Sequence, residues 1–413
     1  MEELLGSFTT KNPFGSVIVD KNETDTYSRM PPNRVTFLLY CVVIPILGIF
    51  GMFANFINGI VFMRPRMKPS AFTYLAALSW IDCLSCLFIM LTGYSRSFFY
   101  KQVAWIRFDF QWQTPLFGIT TGAANLILVC LTCDRLAFLL NPLPNRAPKM
   151  CSVQIARKLV CAIVIFSALL NIPYFFIFLV NDDGTFCATD FYYSTYYVYH
   201  NWITFVILGA FPGVLLIFGN GALIIIFVKW TKKTAHLRKQ TNVGHRRASV
   251  AQKKYMDQTK LITTIVIVVI LFIIGELPAQ LTSRKSALNL LFGGDISKVN
   301  FAKMEKIEVY LTTLNAIQLS LNIVIYAVIN PSFMIEFFQC LKESSDCCCS
   351  VCMCKIRAKT CSDDEDEYAR KKKVFIVSQD DTSKGDSFFI HGKSDEGCGR
   401  TKETGLSCCN CNE

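Results

Sequence analysis

The chain has 413 residues and a formal net charge of +11, and 52% of its residues are hydrophobic, with 34 Phe among them. A soluble protein of this length spreads apolar residues at helical or strand periodicity and keeps charges on a solvent face. Here the apolar residues come in charge-poor blocks flanked by Lys and Arg, which argues against a soluble domain and against nucleic-acid binding, and for loops that face anionic membrane lipids.

Residues 1–34 begin MEELLGSFTTKNPFGS, without the basic start and apolar run of a cleavable signal peptide, so the first span is expected to act as the insertion signal. Asn22-Glu23-Thr24 is a glycosylation sequon. Seven stretches free or nearly free of charge follow: 35–63, 69–95, 110–133, 159–181, 191–228, 261–283 and 309–335. Each is long enough to cross a ~30 Å hydrocarbon layer as a helix of about 20 residues. Inside lipid every backbone N–H and C=O must pair within its own segment, which leaves helices rather than open strands. The expected fold class is an all-α membrane protein, a seven-transmembrane helix bundle over residues 35–345. Residues 1–34 are expected outside and 346–413 as a cytoplasmic tail.

Short loops rich in Lys and Arg stay on the cytoplasmic side. Arg64, Arg66 and Lys68 follow the first span; Arg146, Lys149, Arg157 and Lys158 follow the third; eight Lys and Arg lie between residues 231 and 257. The segment between the fourth and fifth spans carries Asp182, Asp183 and Asp190 and no Lys or Arg. The loop after the sixth span, with Arg284, Lys285, Lys298 and Lys303, dissents. The balance puts the N-terminus outside and the C-terminus in the cytoplasm, as a multi-pass plasma-membrane protein.

Ionisable groups inside a span cost energy and mark sites. Asp82 and Glu276 are the two acids within these spans, and Asn55, Asn125, Gln318 and Asn322 are polar neighbours able to pair with them. Each acid reads either as a packing residue hydrogen-bonded to a neighbour or as part of a buried cluster that changes state. Asp134 and Arg135 close the third span after 24 uncharged residues. A carboxylate beside a guanidinium can hold it by a charge-assisted hydrogen bond, which makes the pair a switch element; an interfacial anchor is the other reading. No metal-ligand cluster and no nucleophile–base set occurs, so neither an enzyme nor a cofactor is expected.

Taken together these residues resemble the rhodopsin-like, class A, G-protein-coupled receptors over about residues 35–345. Asn55 and the basic residue after it match the family's first helix. Leu78-Ser79-Trp80-Ile81-Asp82 resembles LAxxD. Cys133-Asp134-Arg135-Leu136, with Pro142 beyond, resembles DRY and its loop. Pro173, Pro212 and Pro278 match the kink prolines, and Asn322-Ile323-Val324-Ile325-Tyr326 resembles NPxxY without its proline. Glu276-Leu277-Pro278-Ala279-Gln280 is similar to the invertebrate myosuppressin, sex-peptide and FMRFamide-type neuropeptide receptors. Several positions depart from the family pattern. Phe110 stands where a disulfide cysteine would meet the loop that holds Cys187. Asn220 replaces a tyrosine, Ala124 replaces a serine, and Gln258 stands where an acid would lock Arg135.

The resemblance implies a cell-surface receptor for a neuropeptide that activates heterotrimeric G proteins through Asp134, Arg135 and Tyr326, with Asn55, Asp82, Asn125, Gln318 and Asn322 as the intramembrane cluster. Phe117 stands where amine receptors carry an acid, which points away from monoamines. Phe117, Asp182, Asp183, Asp190, Tyr196, Tyr197, Glu276 and Gln280 are the ligand-pocket candidates, because acids attract a peptide's cations and aromatics give rigid contact area. The tyrosines also read as an interfacial belt. A chemosensory receptor for a small ligand and a membrane transporter are the alternatives. After the seventh span, residues 331–342 read as an amphipathic helix with Phe333, Phe337, Phe338 and Leu341 on its membrane face. Cys340, Cys347, Cys348 and Cys349 suit palmitoylation, zinc being the rival. The charge-rich remainder is expected to be disordered.

Overall fold

The charge-free runs become helices because a helix pairs every backbone N–H and C=O within its own segment, as lipid requires of a lone span. The computed structural model describes residues 29, 31–67, 69–140, 148–149, 151–240, 259–276, 278 and 301–343. Seven helices among them are long and apolar enough to cross a membrane. Helix α1 (Arg34–Phe62) starts at Asn33, whose side-chain oxygen accepts from the Thr36 N–H at 2.9 Å. Helix α2 (Ser70–Arg96) follows Pro69. Helix α3 (Val103–Leu140) begins earlier than the uncharged run does, so that Arg107 and Asp109 lie inside it. Helix α4 (Val153–Phe176) is capped by Ser152 and tightens into a 3-10 turn, Ile172–Phe176, at Pro173.

Between α4 and the next span lies an antiparallel hairpin of β1 (Phe178–Val180) and β2 (Phe186–Ala188), a small addition to the all-α expectation. Its turn carries Gly184 at φ 83°, a left-handed conformation that a side chain resists. Helix α5 spans Thr195–Lys229 and continues to Gln240. Ser194 caps it, and a π-turn, Val206–Ala210, interrupts it just before Pro212. The described part of α6 is Thr259–Glu276, α7 is Phe301–Ile329, and α8 covers 331–343.

Helix α3 is the most buried of the seven spans and α4 the least. Leu75, Ile127, Leu128, Leu131, Leu216 and Ile262 fill the centre. The outward faces are also apolar: Phe50, Phe53, Ile165, Phe218 and Val328 are exposed, which suits hydrocarbon and not water. Helices α1 and α2 approach closely at small residues. A Cβ on Gly51 would come 2.7 Å from the sulfur of Cys86. On α8, Phe333 turns inward against Phe62 and Tyr326, whereas Phe338 and Leu341 are exposed. The expected single apolar face is therefore split between bundle and surroundings.

Candidate functional site

Asp134 and Arg135 lie near the C-terminal end of α3. Consecutive helix residues point about 100° apart, yet both side chains are almost fully buried, 3% and 2% exposed. They meet because the long arginine stem curls back. Arg135 Nε donates to Asp134 Oδ2 at 2.9 Å, and Nη2 also bonds the same carboxylate. Ser70, the first residue of α2, completes the group. Its hydroxyl oxygen is 2.9 Å from Asp134 Oδ1 and 3.1 Å from Arg135 Nη2. The guanidinium lies over the Phe138 ring at 5.2 Å. The Cys151 thiol donates to the Asp134 backbone carbonyl at 3.3 Å, and burial, with the Asp134 carboxylate near, pushes that thiol up to about 11. Charge in so dry a place persists only when paired and hydrogen-bonded, and this pair is both.

Midway along the bundle, Asn322 of α7 donates to Asp82 of α2 at 2.9 Å. Asn55 of α1 donates to the carbonyls of Gly51 and Leu319, both at 2.9 Å, and so joins the same α1–α2–α7 seam. Asn125 turns instead to the Leu208 carbonyl on α5, and Gln318 packs against α6, where a Cβ on Gly275 would come 2.7 Å from its own Cβ. Of the five residues expected to cluster, three therefore share one seam. Glu276 is buried and accepts a hydrogen bond from Asn315 of α7. Gln318 Oε1, Asn322 Oδ1 and the fully buried Tyr326 hydroxyl have no hydrogen-bond partner among the described residues.

At the hairpin end the predicted pocket residues are spread out. Asp182 is fully exposed at the hairpin turn and 3.5 Å from Arg107. Asp183 is exposed; the hydroxyl and N–H of Thr185 hold its carboxyl below the usual carboxylate range. Asp190 and Tyr196 are exposed, Tyr197 is buried beside Tyr174 and Tyr192, and Phe117 is half-buried against the cluster of Tyr40, Ile44 and Cys86. Gln280, Asn22, Gln258 and Cys347 to Cys349 lie outside the described residues; Cys340, on α8, is half-buried with a free thiol.

Charged residues that the sequence reading did not single out do converge. Buried Asp109 of α3 accepts from Arg96 Nε of α2 at 3.2 Å and pairs with Arg29, from the segment before α1. Arg96 also reaches Tyr40 of α1 at 3.0 Å and Glu308 of α7 at 2.8 Å. At the other end Glu336 of α8 is 4% exposed and lies 3.1 Å from Arg66 and 3.7 Å from Arg64. No sequence motif marks these pairs, because the partners are far apart in the chain. Among the described residues no group of three His, Cys, Asp or Glu side chains could hold a metal ion.

The family model described as "7 transmembrane receptor (rhodopsin family)" matches residues 56–332, well over half of the chain. Among solved structures, squid rhodopsin is similar in fold, with a TM-score of 0.60 at 19% identity over 82% of this chain and 93% of that one. No curated protein matches it in sequence.

Proposed function

The chain belongs to the rhodopsin family of seven-transmembrane receptors, and from that premise we propose that it is a neuropeptide receptor whose switch is the Asp134–Arg135 pair. Members of the family are signalling receptors that act through heterotrimeric G proteins, not enzymes, so the transporter reading falls away. The observation that carries the switch assignment is the dry Asp134–Arg135–Ser70 group. Its bonds are local to the ends of α2 and α3, so they can be exchanged for bonds to a partner without unpacking the bundle.

Activation on this reading is a population shift. An agonist favours one arrangement of α5, α6 and α7 over the other by its difference in affinity. The π-turn before Pro212 gives α5 a place to adjust. Tyr326, Asn322 and Gln318 carry polar atoms without hydrogen-bond partners among the described residues, so a rearranged polar layer can gain hydrogen bonds rather than only lose them. The peptide reading is supported by the exposure of Asp182, Asp183 and Asp190 and of Tyr196 and Tyr199 between the fourth and fifth spans and at the start of the fifth, and by Phe117 where an amine-binding acid would stand. The N-terminus, with Asn22 glycosylated, is outside. The tail is cytoplasmic, with Cys340 and Cys347 to Cys349 carrying palmitate against membrane lipid.

Amidated neuropeptides applied to cells expressing the chain should identify an agonist that recruits a G protein. Arg135→Ala should then abolish G-protein activation and leave agonist binding within about threefold. Retained signalling would remove the switch assignment. A surface-expressed protein silent to peptides but answering small environmental molecules would replace the peptide reading with the chemosensory one.

A further inference from the structure

The family resemblance leads one to expect a disulfide from the start of α3 to the loop after α4. Residue 110 is Phe, and Cys187 is a free thiol. Another force must hold the hairpin, because two strands of three residues are not stable alone. The face of α3 turned toward it consists of Val103, Ile106 and Phe110, at the three- and four-residue spacing of one helix face. The Phe110 ring stacks on Phe186 with centroids 3.8 Å apart and 23° between planes, and meets Phe178 edge-on at 5.6 Å. Gln111 donates to the Phe178 carbonyl at 3.1 Å.

Strand register explains why Phe186, and not the neighbouring Cys187, makes this contact. Alternate residues of a strand face opposite sides. Val180 pairs with Phe186 and both are buried; exposed Leu179 pairs with Cys187. The Cys187 sulfur is therefore on the face turned away from Phe110. Asp109, one residue before Phe110, pairs with Arg29 and Arg96, and the Arg29 guanidinium lies 5.3 Å over the Phe110 ring.

We propose that Phe110, stacked on Phe186, is a positioning residue that holds the β1–β2 hairpin on α3 without a covalent bond, and that Asp109 couples this clasp to α2, to α7 and to the segment before α1. The clasp sets where the hairpin sits at that end of the bundle whatever the ligand is, so it does not depend on the peptide reading. Its strength is reversible, unlike a disulfide, and it is indifferent to redox conditions.

Hydrogen exchange on the purified full-length chain in detergent tests this. The ladder amides of Asn181 and Thr189, which bond the carbonyls of Thr185 and Ile177, report on the hairpin. Phe110→Ala should speed their exchange at least about tenfold, since an aromatic contact and its buried area are both lost. Phe110→Tyr should stay within about threefold of the parent, a rescue that a merely volume-filling role would not require. Should Phe110→Ala fail to fold, Phe186→Leu keeps apolar volume, loses the stack and should speed exchange in the same way. Cys187→Ser, and dithiothreitol added to the parent chain, should change nothing at the hairpin. Asp109→Asn should loosen residue 29 and the start of α7 more than the hairpin. Unchanged hairpin exchange in Phe110→Ala and Phe186→Leu, or faster exchange of the parent under dithiothreitol, overturns the proposal.

Discussion

The two ends of α3 both bury charge, and they do so in different ways. At one end Asp134 and Arg135 are neighbours in the chain; Ser70 bonds both side chains from the start of α2, and Cys151 bonds the Asp134 backbone carbonyl. At the other end Asp109 gathers Arg29 and Arg96, and Arg96 reaches Tyr40 and Glu308, so that five segments meet. A pair held within one helix can be broken and re-formed while the helices stay packed. A network that spans several elements can be broken only by separating them. The first suits a switch and the second suits a fastening, although the chemistry of the bonds is the same. Coulomb attraction is strong in both places; what differs is how much of the structure must move to exchange a partner.

The comparison breaks first at the fastening. Asp109→Ala removes the carboxylate between two guanidinium groups and leaves them facing each other. Removing one partner of a buried pair costs about 3–5 kcal/mol. Arg29 and Arg96 are 13% and 25% exposed and Arg96 keeps Glu308, so the expected loss is near the lower end, about 3 kcal/mol. A thermal melt of the purified chain in detergent should show a clear fall in midpoint, with no rise in basal G-protein activation of the protein that remains folded. A rise in basal activation would mean that this end acts as a switch and not as a fastening.

Ser70→Ala tests the opposite end with a smaller perturbation. It deletes a hydroxyl that bonds both members of the pair, and a hydrogen bond to a charged group contributes about 1.5–3 kcal/mol. Because the paired state loses more than a partner-engaged state would, basal G-protein activation should rise, several-fold, while the melting midpoint falls less than in Asp109→Ala. Unchanged basal activity with a large stability loss would make the group a fastening after all.

How far each end is legible in the sequence follows from the same contrast. Asp134 and Arg135 are adjacent, so their pairing can be read directly from the chain, but Ser70, 64 residues away, gives no sign of its part. Asp109 sits at the edge of an uncharged run and reads as loop. It is in fact inside α3, which begins at Val103 rather than near residue 110, and two arginines from elsewhere compensate the burial of its charge. The seven spans were visible because the lack of charge is a local property. The hairpin was not, because strands of three residues carry too little alternation to stand out from a loop. Cys187 drew attention as the half of a missing bridge, whereas the residue that makes the contact is Phe186, which only the strand register reveals. The pocket candidates rested on side-chain type alone, and the structure scatters them over exposed and buried positions.

The smallest effect expected is at Asp182 and Arg107. These two also form an ion pair between the hairpin and α3, 3.5 Å apart, and in a diagram they look like part of the fastening. Their surroundings are different. The Asp182 side chain is fully exposed and that of Arg107 is 45% exposed, so water and salt screen their attraction and holding two flexible chains together costs rotamer freedom. Asp182→Asn should leave both the melting midpoint and the exchange of Asn181 and Thr189 amides unchanged. Raising the salt concentration should be equally silent for the parent chain at those amides. If instead Asp182→Asn speeds hairpin exchange as much as Phe110→Ala does, the hairpin is held by surface charge, and the stack on Phe186 is a consequence of its position rather than the cause.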